Sequence, residues 1–329
     1  MSNLRPMQLP QDIDPLMKVI LEGFQYPENP QWSIQTDERE GIVDTIKSMK
    51  RLYPFFAFLG NFSADMRDMF HGFIYEEDEK PVGIITYSRR SGSQEWYIAD
   101  VTVIPAYRRR GIARKLVQAV LGQITTRHGR KAILDVIDVN IPAYSLYKEL
   151  GFENYSGSVD YIYDQSAPAV TIPEGYTIAP LPDSDWRTRF ELENRITPDF
   201  VQKYTPVTEL NFRQPFVIVA FMNLFSRMSG EKHKAFSIRA RTTQQVVGIA
   251  SYVARLRPGG VNHIQVRLDP AHAILATFMV GHMLHLTQQV SPGRRIEFSI
   301  SRWQAASDEA TQAMGASRRC ATHRMGIIL

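Results

Sequence analysis

The sequence predicts an α/β protein built from two related halves, and three observations support this prediction. Extended apolar segments alternate with amphipathic helical segments along the chain, which is typical of domains that pack helices on a sheet. The length of 329 residues is enough for two domains of roughly 150 residues each. Short motifs also recur about half a chain later, so we expect the two halves to be diverged copies of one unit.

The composition excludes several classes of protein. The chain is 44% hydrophobic and 22% charged, which excludes a disordered or fibrous protein. The single cysteine, Cys320, excludes an internal disulfide and a cysteine-rich zinc site. The net charge of +4 is modest, and basic and aromatic residues do not alternate on one element. We therefore expect no nucleic-acid partner.

No segment reads as a signal peptide or a membrane span, so we expect a cytoplasmic protein with no membrane partner. The most apolar stretch, 271–286, is interrupted by His272, His282 and His285. These histidines have no further ligand at typical spacing, so the sequence predicts no metal site.

The elements of the first half are predicted from apolar periodicity. A short strand over 4–9 precedes a helix that begins near Pro15, and the aromatic-rich region 24–75 predicts helices and loops packed over a sheet. Further strands are predicted at 81–87, 95–104 and 132–136, helices at 108–128 and 141–150, and a closing extended segment at 155–163.

Recurring motifs define the predicted domains. Three pairs of motifs share a nearly constant offset: Val82-Gly83 with Val247-Gly248, Pro105 with Pro270, and Gly151 with Gly315. The segment 166–175 has the composition of a linker. We therefore predict a first domain over 1–165, a linker over 166–175 and a second domain over 176–329.

The most informative segment joins a strand to a helix through Arg108-x-x-Gly111-x-Ala113. Gly111 and Ala113 allow a ligand to approach the backbone, and the N–H groups and dipole of the first helical turn attract an anion. The loop is neither a P-loop nor a dinucleotide fingerprint, since it lacks the glycines of both. It predicts a pyrophosphate site, and the alternative is a solvated arginine cluster. Its basic residues are Arg108, Arg109, Arg110, Arg114 and Lys115.

A second motif, Asn140-x-x-Ala143-x-x-x-Tyr147-x-x-x-Gly151-Phe152, follows one strand later. Together the two motifs resemble the acetyl-CoA-binding core of the GNAT-type N-acetyltransferase superfamily, over about residues 1–163. The resemblance implies two tandem GNAT-like domains, each a mixed, mostly antiparallel central sheet flanked by helices. It also implies acetyl-CoA, or another acyl-CoA, as cosubstrate, with no metal.

The resemblance implies roles for individual residues. The loop would cradle the pyrophosphate, strand backbone groups would bind the pantetheine arm and the acyl carbonyl, and Asn140 would contact the pantetheine. Tyr147 would protonate the departing thiolate, for which a phenol with a pKa near 10 is suited; its alternative role is helix packing. The cofactor-binding residues implied are Val101, Val103, Arg108, Arg109, Arg110, Gly111, Ile112, Ala113, Asn140 and Tyr147.

The general base stays open at this point. An amine acceptor must lose a proton before it attacks a thioester, and Tyr97 stands where some members of the family carry a catalytic glutamate. Strict alternation along the strand places Glu95, Tyr97, Val101 and Val103 on one face and Asp100 on the other. Glu95, or Asp100 re-aimed by a β-bulge, are the candidate bases, and each has a structural role as its alternative.

The second half has lost this chemistry. No glycine or arginine follows Pro270 in the matching loop, and Gln304 and Thr311 stand where the first half has Asn140 and Tyr147. We expect a structural or acceptor-shaping domain. Asp135 and Asp138, within the second motif, are expected to be structural.

The sequence thus predicts an N-acetyltransferase, an acyltransferase that transfers groups other than amino-acyl groups. It would pass acetyl from acetyl-CoA to a primary amine, a small molecule or a peptide, by direct attack in a ternary complex. The alternative is a non-catalytic acyl-CoA-binding or regulatory module.

Overall fold

The chain divides into two compact units, one formed by Met1–Tyr155 with His323–Leu329 and the other by Ser156–Thr322. None of the described helices is both long and apolar enough to cross a membrane. Most of the predicted helix-and-loop region 24–75 lies outside the described residues. The computed structural model describes residues 3–26, 30, 33, 39, 43, 50, 51, 53, 71–90, 94–213, 230–257 and 259–329.

The first unit is a mixed sheet with helices on both faces. The sheet order is β1-β2-β3-β4-β5, followed by the end of β12. Pairing is antiparallel from β1 to β4 and parallel between β4 and β5. Its elements are β1 (Leu4–Pro6), α1 (Ile13–Gly23), β2 (His71–Glu77), β3 (Lys80–Arg89), β4 (Glu95–Val103), α2 (Ile112–Thr126), β5 (Lys131–Ile137), α3 (Ile141–Glu149) and the start of β6 (Glu153–Tyr163).

Helices α1 and α2 cover opposite faces of the sheet. Adjacent strand residues point to opposite faces, and Ile84 packs with α1 whereas Ile85 packs in the core that α2 covers. Helix α2 buries one apolar stripe that includes Leu116 and Val120, as its 3.6-residue periodicity predicts. The face toward α1 and the face toward α2 are therefore distinct environments, and this distinction orders the site.

The second unit repeats the arrangement of the first. Its sheet order is β12-β6-β11-β10-β9-β8-β7. Strands β10 and β11 are parallel, as β4 and β5 are, whereas β6 with β11, β10 with β9, β9 with β8 and β8 with β7 are antiparallel. The prediction of two related α/β halves is confirmed. Its elements are β7 (Tyr176–Pro180), α4 (Trp186–Ile196), α5 (Asp199–Gln202), β8 (Glu231–Ala240), β9 (Val246–Arg255), β10 (Asn262–Leu268), α6 (Ala276–Val290), β11 (Ile296–Ser301), α7 (Ala305–Ala313) and β12 (Ser317–Ile328).

Strands β6 and β12 pass from one unit into the other. Residues 158–163 of β6 pair with β11 in the second unit, while β12 enters the first unit at His323. The sequence places the domain boundary at 166–175, whereas the compact units divide at Tyr155 and at Thr322. The alternation of buried residues in β6 is the same whichever sheet it joins, so periodicity carries no information about this exchange.

We expect Gly157→Ala to lower the melting temperature. A Cβ atom at Gly157 in β6 would lie 2.1 Å from the backbone oxygen of Thr322 in β12, and a backbone atom cannot rotate away. Overpacking of this kind costs about 1–3 kcal/mol. Thermal unfolding measures the effect. The control is Gly122→Ala in α2, where a Cβ meets no atom within 4 Å and alanine favours the helix; equal melting temperatures for both variants would contradict the close approach of β6 and β12.

Candidate active site

Strands β4 and β5 pair over only part of their length. The paired residues run from Glu95↔Lys131 to Ile98↔Leu134, although β4 continues to Val103. Among the described residues, the second half of β4 therefore has no strand neighbour on its β5 side. A strand edge without a neighbour offers N–H and C=O groups to an extended ligand.

A β-bulge interrupts β4 where this pairing ends. Thr86 opposes Ala99 and Ile84 opposes Thr102, so Asp100 and its neighbour Val101 together oppose one residue of β3. Asp100 has a φ of 50°, a left-handed conformation that is uncommon for residues other than glycine. The extra residue shifts the alternation of every following side chain by one.

Because of the bulge, the side chains that follow Asp100 point to the faces opposite to those that strict alternation predicts. Val103 packs with Ile98 in the core beside α2, and Val101 packs against the same core, so both lie on the face opposite Tyr97 and not on the face of Tyr97 as predicted. Asp100 turns instead toward Thr86, whose hydroxyl donates to the carboxylate at 2.7 Å. The bulge that the Asp100 hypothesis requires is thus present, and Asp100 shares the face of Tyr97 toward α1.

The two candidate bases occupy different parts of β4. Burial raises the pKa of Asp100, opposed by its hydrogen bond from Thr86. Burial also raises the pKa of Glu95, opposed by the charges of Arg90 and Lys131. Glu95 is 4% exposed and lies where β4 is still paired with β5, about 15 Å along the strand from Asp100. The structure does not bring the two carboxylates together.

A chain of hydrogen bonds joins three strands beside Asp100. The Tyr97 hydroxyl donates to Asp135 Oδ2 at 3.1 Å, and Arg324 donates to both Asp135 oxygens at 2.8 and 2.9 Å. Burial and the charge of Asp135 raise the pKa of Tyr97 far above its usual value, so Tyr97 stays protonated and cannot be a base. Arg324 lies on β12, and no sequence motif connects it with Tyr97.

Tyr147 occupies the buried side of α3. It is 5% exposed, and its ring contacts Phe152 edge-on with 6.0 Å between centroids. Burial raises the pKa of its phenol above the usual value, and the nearby Tyr26 adds to the increase. Tyr147 therefore stays protonated at neutral pH and packs the helix, as one of its two predicted roles requires, and its role as proton donor to a thiolate stays a prediction.

Asn140 begins helix α3 as its N-cap. Its Oδ1 accepts a hydrogen bond from the Ala143 amide at 3.3 Å, and Pro142 lies in the first turn. This explains why asparagine stands between strand and helix. The pantetheine contact that the resemblance implies would fall to the side-chain nitrogen of Asn140 or to its backbone.

The loop before α2 presents a run of open backbone amides. Arg109 and Gly111 have positive φ values of 65° and 76°, and backbone that alternates in this way turns successive N–H groups toward a common point. The amide of Lys115 donates to Gly111 at 3.1 Å, whereas within the described residues the amides of 109–114 have no backbone acceptor. A Cβ at Gly111 would meet no atom within 4 Å. This arrangement fits a pyrophosphate.

The sequence predicts that the basic side chains of the loop gather at a pyrophosphate, but in the structure several of them contact other groups of the protein. Arg108 donates to the carbonyl oxygens of Val103 and Gly23 at 3.0 and 2.7 Å, which ties the end of β4 to the end of α1. The amides, more than the side chains, are therefore available to an anion. The other partners are Glu77 for Arg110, Glu149 for Arg114 and Tyr75 for Lys115.

The second unit fills the matching positions with its own side chains. Gln304 donates to the Leu268 oxygen at 2.8 Å and accepts from the Leu268 amide at 3.1 Å. Asp269 accepts from the Ala271 amide at 3.0 Å, at the start of the matching loop. The hydroxyl of Thr311 donates to the Ser307 oxygen at 2.7 Å. The end of β10 is thus closed by the chain itself, which supports the expectation of lost cofactor chemistry.

Within the described residues, no three His, Cys, Asp or Glu side chains are arranged to hold a metal ion. Two of the histidines on α6 have packing partners. His282 stacks on Phe278 with 5.1 Å between ring centroids, and His285 contacts the Ala167 oxygen at 2.9 Å.

Comparison with known proteins agrees with this geometry. Residues 35–152 match the model of the Acetyltransferase (GNAT) family. The full chain has the fold of a tandem GNAT protein from the clavulanic acid biosynthesis pathway, with 12% identity, 99% of this chain and 98% of that chain covered, and a TM-score of 0.61. No match was found among curated proteins. The segment 35–152 thus matches the GNAT family, and the whole chain has the fold of a tandem GNAT protein.

Two further solved structures share the fold over nearly the whole chain. A GCN5-related N-acetyltransferase from Sphaerobacter thermophilus is 14% identical, with 100% of this chain and 96% of that chain covered and a TM-score of 0.59. A putative acetyltransferase from Pyrococcus horikoshii is 15% identical, with 100% and 90% covered and a TM-score of 0.58. At these identities the likeness concerns the fold.

We expect Gly111→Ala to weaken binding of coenzyme A by about tenfold, because the strained loop loses the alignment of one or more amides. Calorimetric titration measures the affinity. Gly175→Ala is a matched control, since Gly175 also has a positive φ, of 86°, and an open Cβ position. Both variants should lose about 1–2 kcal/mol of stability, so equal affinities for coenzyme A would refute the amide cradle.

Proposed function

We propose that the first unit transfers an acyl group, in particular acetyl, from acyl-CoA to a primary amine by direct attack in a ternary complex. The match to the GNAT family supports the class of acyl-CoA-dependent N-acyltransferases. The observation that carries the proposal is the open amide run 109–114, which directly follows the part of β4 that has no strand neighbour on its β5 side among the described residues. A small-molecule or peptide amine is the proposed acceptor.

The residues of the first unit fit an acyl-CoA cosubstrate. The amides of 109–114 would hold the pyrophosphate at the N-terminus of α2. The backbone of Val101 and the N–H of Val103, whose carbonyl oxygen already accepts from Arg108, would pair with the amide groups of the pantetheine arm, as a neighbouring strand would. Acetyl-CoA supplies the acyl group and a thiolate leaving group.

Asp100 is proposed as the general base. Its raised pKa brings the carboxyl closer to neutral pH, where a base both ionises and accepts a proton effectively. Asp100 takes one proton from the ammonium form of the acceptor and releases it to solvent. The neutral amine nitrogen then forms a bond to the acyl carbon.

Tyr147 is proposed as the proton donor to the leaving thiolate. The C–S bond breaks as the amide forms, and the phenol supplies the proton that the sulfur needs. Tyr147 recovers a proton from the second N–H that the acceptor nitrogen loses, so the protons balance. Cys320 lies outside the first unit and donates to Asp160 at 3.2 Å, which accords with direct attack rather than a covalent enzyme intermediate.

A second candidate function is a non-catalytic acyl-CoA-binding module. It is favoured by Tyr97, which stays protonated where some members of the family carry a glutamate base. The two candidates separate in one assay, because a binding module takes up coenzyme A without releasing thiol in the presence of amines. A panel of phenethylamine, putrescine, kanamycin and a lysine peptide provides the acceptors.

We expect Asp100→Asn to lower the rate of acyl transfer by about 100-fold or more. The variant should also lack the acidic limb of the pH profile, which reflects protonation of the base. Glu95→Gln is the matched control on the same strand, and it should keep both the rate of transfer and the acidic limb of the pH profile. Thiol release measured between pH 5 and 9 provides the profile. Full activity of Asp100→Asn, or loss of activity in Glu95→Gln alone, would transfer the proposed role to Glu95.

The melting temperatures of the same two variants provide an independent test of the raised carboxyl pKa values. Since the folded-state pKa of Asp100 is raised, the wild-type protein binds its proton more tightly when folded and loses stability as pH rises through that pKa. Asparagine does not titrate, so the Asp100→Asn variant does not lose this stability. At pH values above the pKa of Asp100, it should have a higher melting temperature than the wild type. Glu95→Gln should behave alike, because its carboxyl pKa is also raised.

We expect Tyr147→Phe to lower kcat by about 100-fold while the affinity for coenzyme A changes little, since only the proton donor is lost. Tyr252→Phe removes the hydroxyl of another buried tyrosine, in the second unit, and is the control. Steady-state thiol release and calorimetry measure the two quantities. An unchanged kcat would remove Tyr147 from the mechanism.

A further inference from the structure

Arg324 lies on the last strand of the chain, yet its side chain completes the α1 face of the first unit. Its guanidinium spans both oxygens of Asp135, and Asp135 in turn accepts from the Tyr97 hydroxyl. A two-point contact between guanidinium and carboxylate fixes the orientation of both groups. The three residues therefore form one connected unit, here called the Tyr97–Asp135–Arg324 chain.

Stability alone does not explain this chain. The side chains of Arg324 and Asp135 are 41% and 23% exposed, and ion pairs that water reaches contribute little to the free energy of folding. The contact between Arg324 and Asp135 instead fixes the orientation of the carboxylate, so that one oxygen of Asp135 faces Tyr97 on the neighbouring strand. The consequence falls on the Tyr97 hydroxyl.

Among the described residues, the oxygen of the Tyr97 hydroxyl accepts no hydrogen bond. Its proton is donated to Asp135, and burial together with Asp135 keeps the phenol protonated. A phenol oxygen that donates its proton still accepts hydrogen bonds through its lone pairs. Tyr97 shares the α1 face of β4 with Asp100, the proposed base, whose charge also acts on Tyr97.

The charges around this face favour a cation. The charge of Asp135 is offset by Arg324, and Tyr97 stays a neutral phenol because burial and Asp135 raise its pKa. The carboxylate of Asp100 accepts a hydrogen bond from Thr86, and among the described residues it forms no ion pair with a cationic side chain. A phenol oxygen and a carboxylate both attract an ammonium group, so this face suits an acyl acceptor that is an amine in its ammonium form.

We propose that the Tyr97–Asp135–Arg324 chain orients the acceptor: the Tyr97 oxygen accepts a hydrogen bond from the amine that Asp100 deprotonates, and Arg324 is a positioning residue that acts through Asp135. This inference rests on the proposed function and adds to it the residue that binds the amine. It also gives the last strand of the chain a part in the specificity of the first unit.

The experiment compares Tyr97→Phe, Arg324→Gln and the double variant, with the best amine of the panel as the probe. Tyr97→Phe should raise KM for the amine by about tenfold, the amount expected for a lost hydrogen bond to a charged group, with KM for acetyl-CoA unchanged. Arg324→Gln should raise the same KM by about fivefold. In the Tyr97→Phe background, Arg324→Gln should add nothing, since both act through one hydroxyl.

Arg319→Gln is the matched control, because Arg319 lies on the same strand and pairs with Glu297 in the second unit. It should leave both KM values unchanged. Arg324→Lys keeps the charge without the two-point contact and should recover part of the loss. Tyr97→Phe tests the inference even where Arg324→Gln fails to fold, since only one oxygen is removed.

The outcomes are distinct. Additive effects of Tyr97→Phe and Arg324→Gln, or equal increases in KM for amine and acetyl-CoA, would overturn the orienting chain while leaving the acyltransferase in place. Absence of thiol release by the wild-type protein with every amine would refute the proposed function itself. In that case, binding of the same amines to the wild type and to Tyr97→Phe, measured by calorimetry, still decides whether Tyr97 holds an ammonium group.

Discussion

The parallel pairing of β4 with β5 ends at Ile98 and Leu134, and the backbone of β4 beyond that point has to find other partners. The features of the first unit that suit a ligand follow from this limit. The bulge turns Asp100 toward the α1 face, Asp135 is the first residue of β5 past the pairing, and the amide loop begins where β4 stops. Binding groups and charged groups meet there because two strands separate.

The second unit meets the same constraint and resolves it differently. Its β10 and β11 pair only at Asn262↔Ile296 and His263↔Glu297, and the freed backbone of Leu268 is satisfied by the Gln304 amide. A buried peptide group left unpaired costs about 1–3 kcal/mol, so such an edge needs either a ligand or a substitute from the chain. One copy of the fold keeps the edge open and the other closes it.

Features governed by local sequence could be predicted, whereas those governed by contacts distant in sequence could not. The helix after Gly111, the helix after Asn140 and the repeat follow from spacing and turn chemistry, which act over a few residues. The bulge at Asp100 adds one residue to an alternation that has no marker of its own, so Val103 was assigned to the wrong face. Arg324 escaped prediction because only the exchange of β12 brings it to Asp135, and Arg108 because its partner Gly23 is far away in sequence.

The passage of β12 into the first unit has a consequence for how the protein is made. The first unit needs residues 323–329, which are synthesised after the whole of the second unit, so its sheet lacks a strand while the second unit is being made. Domains usually fold in order from the N-terminus, but here the half that is made first is completed last. A chain that stops before residue 323 therefore carries the amide loop without Arg324, and the contacts of Arg324 with Asp135 form only after the second unit has been made.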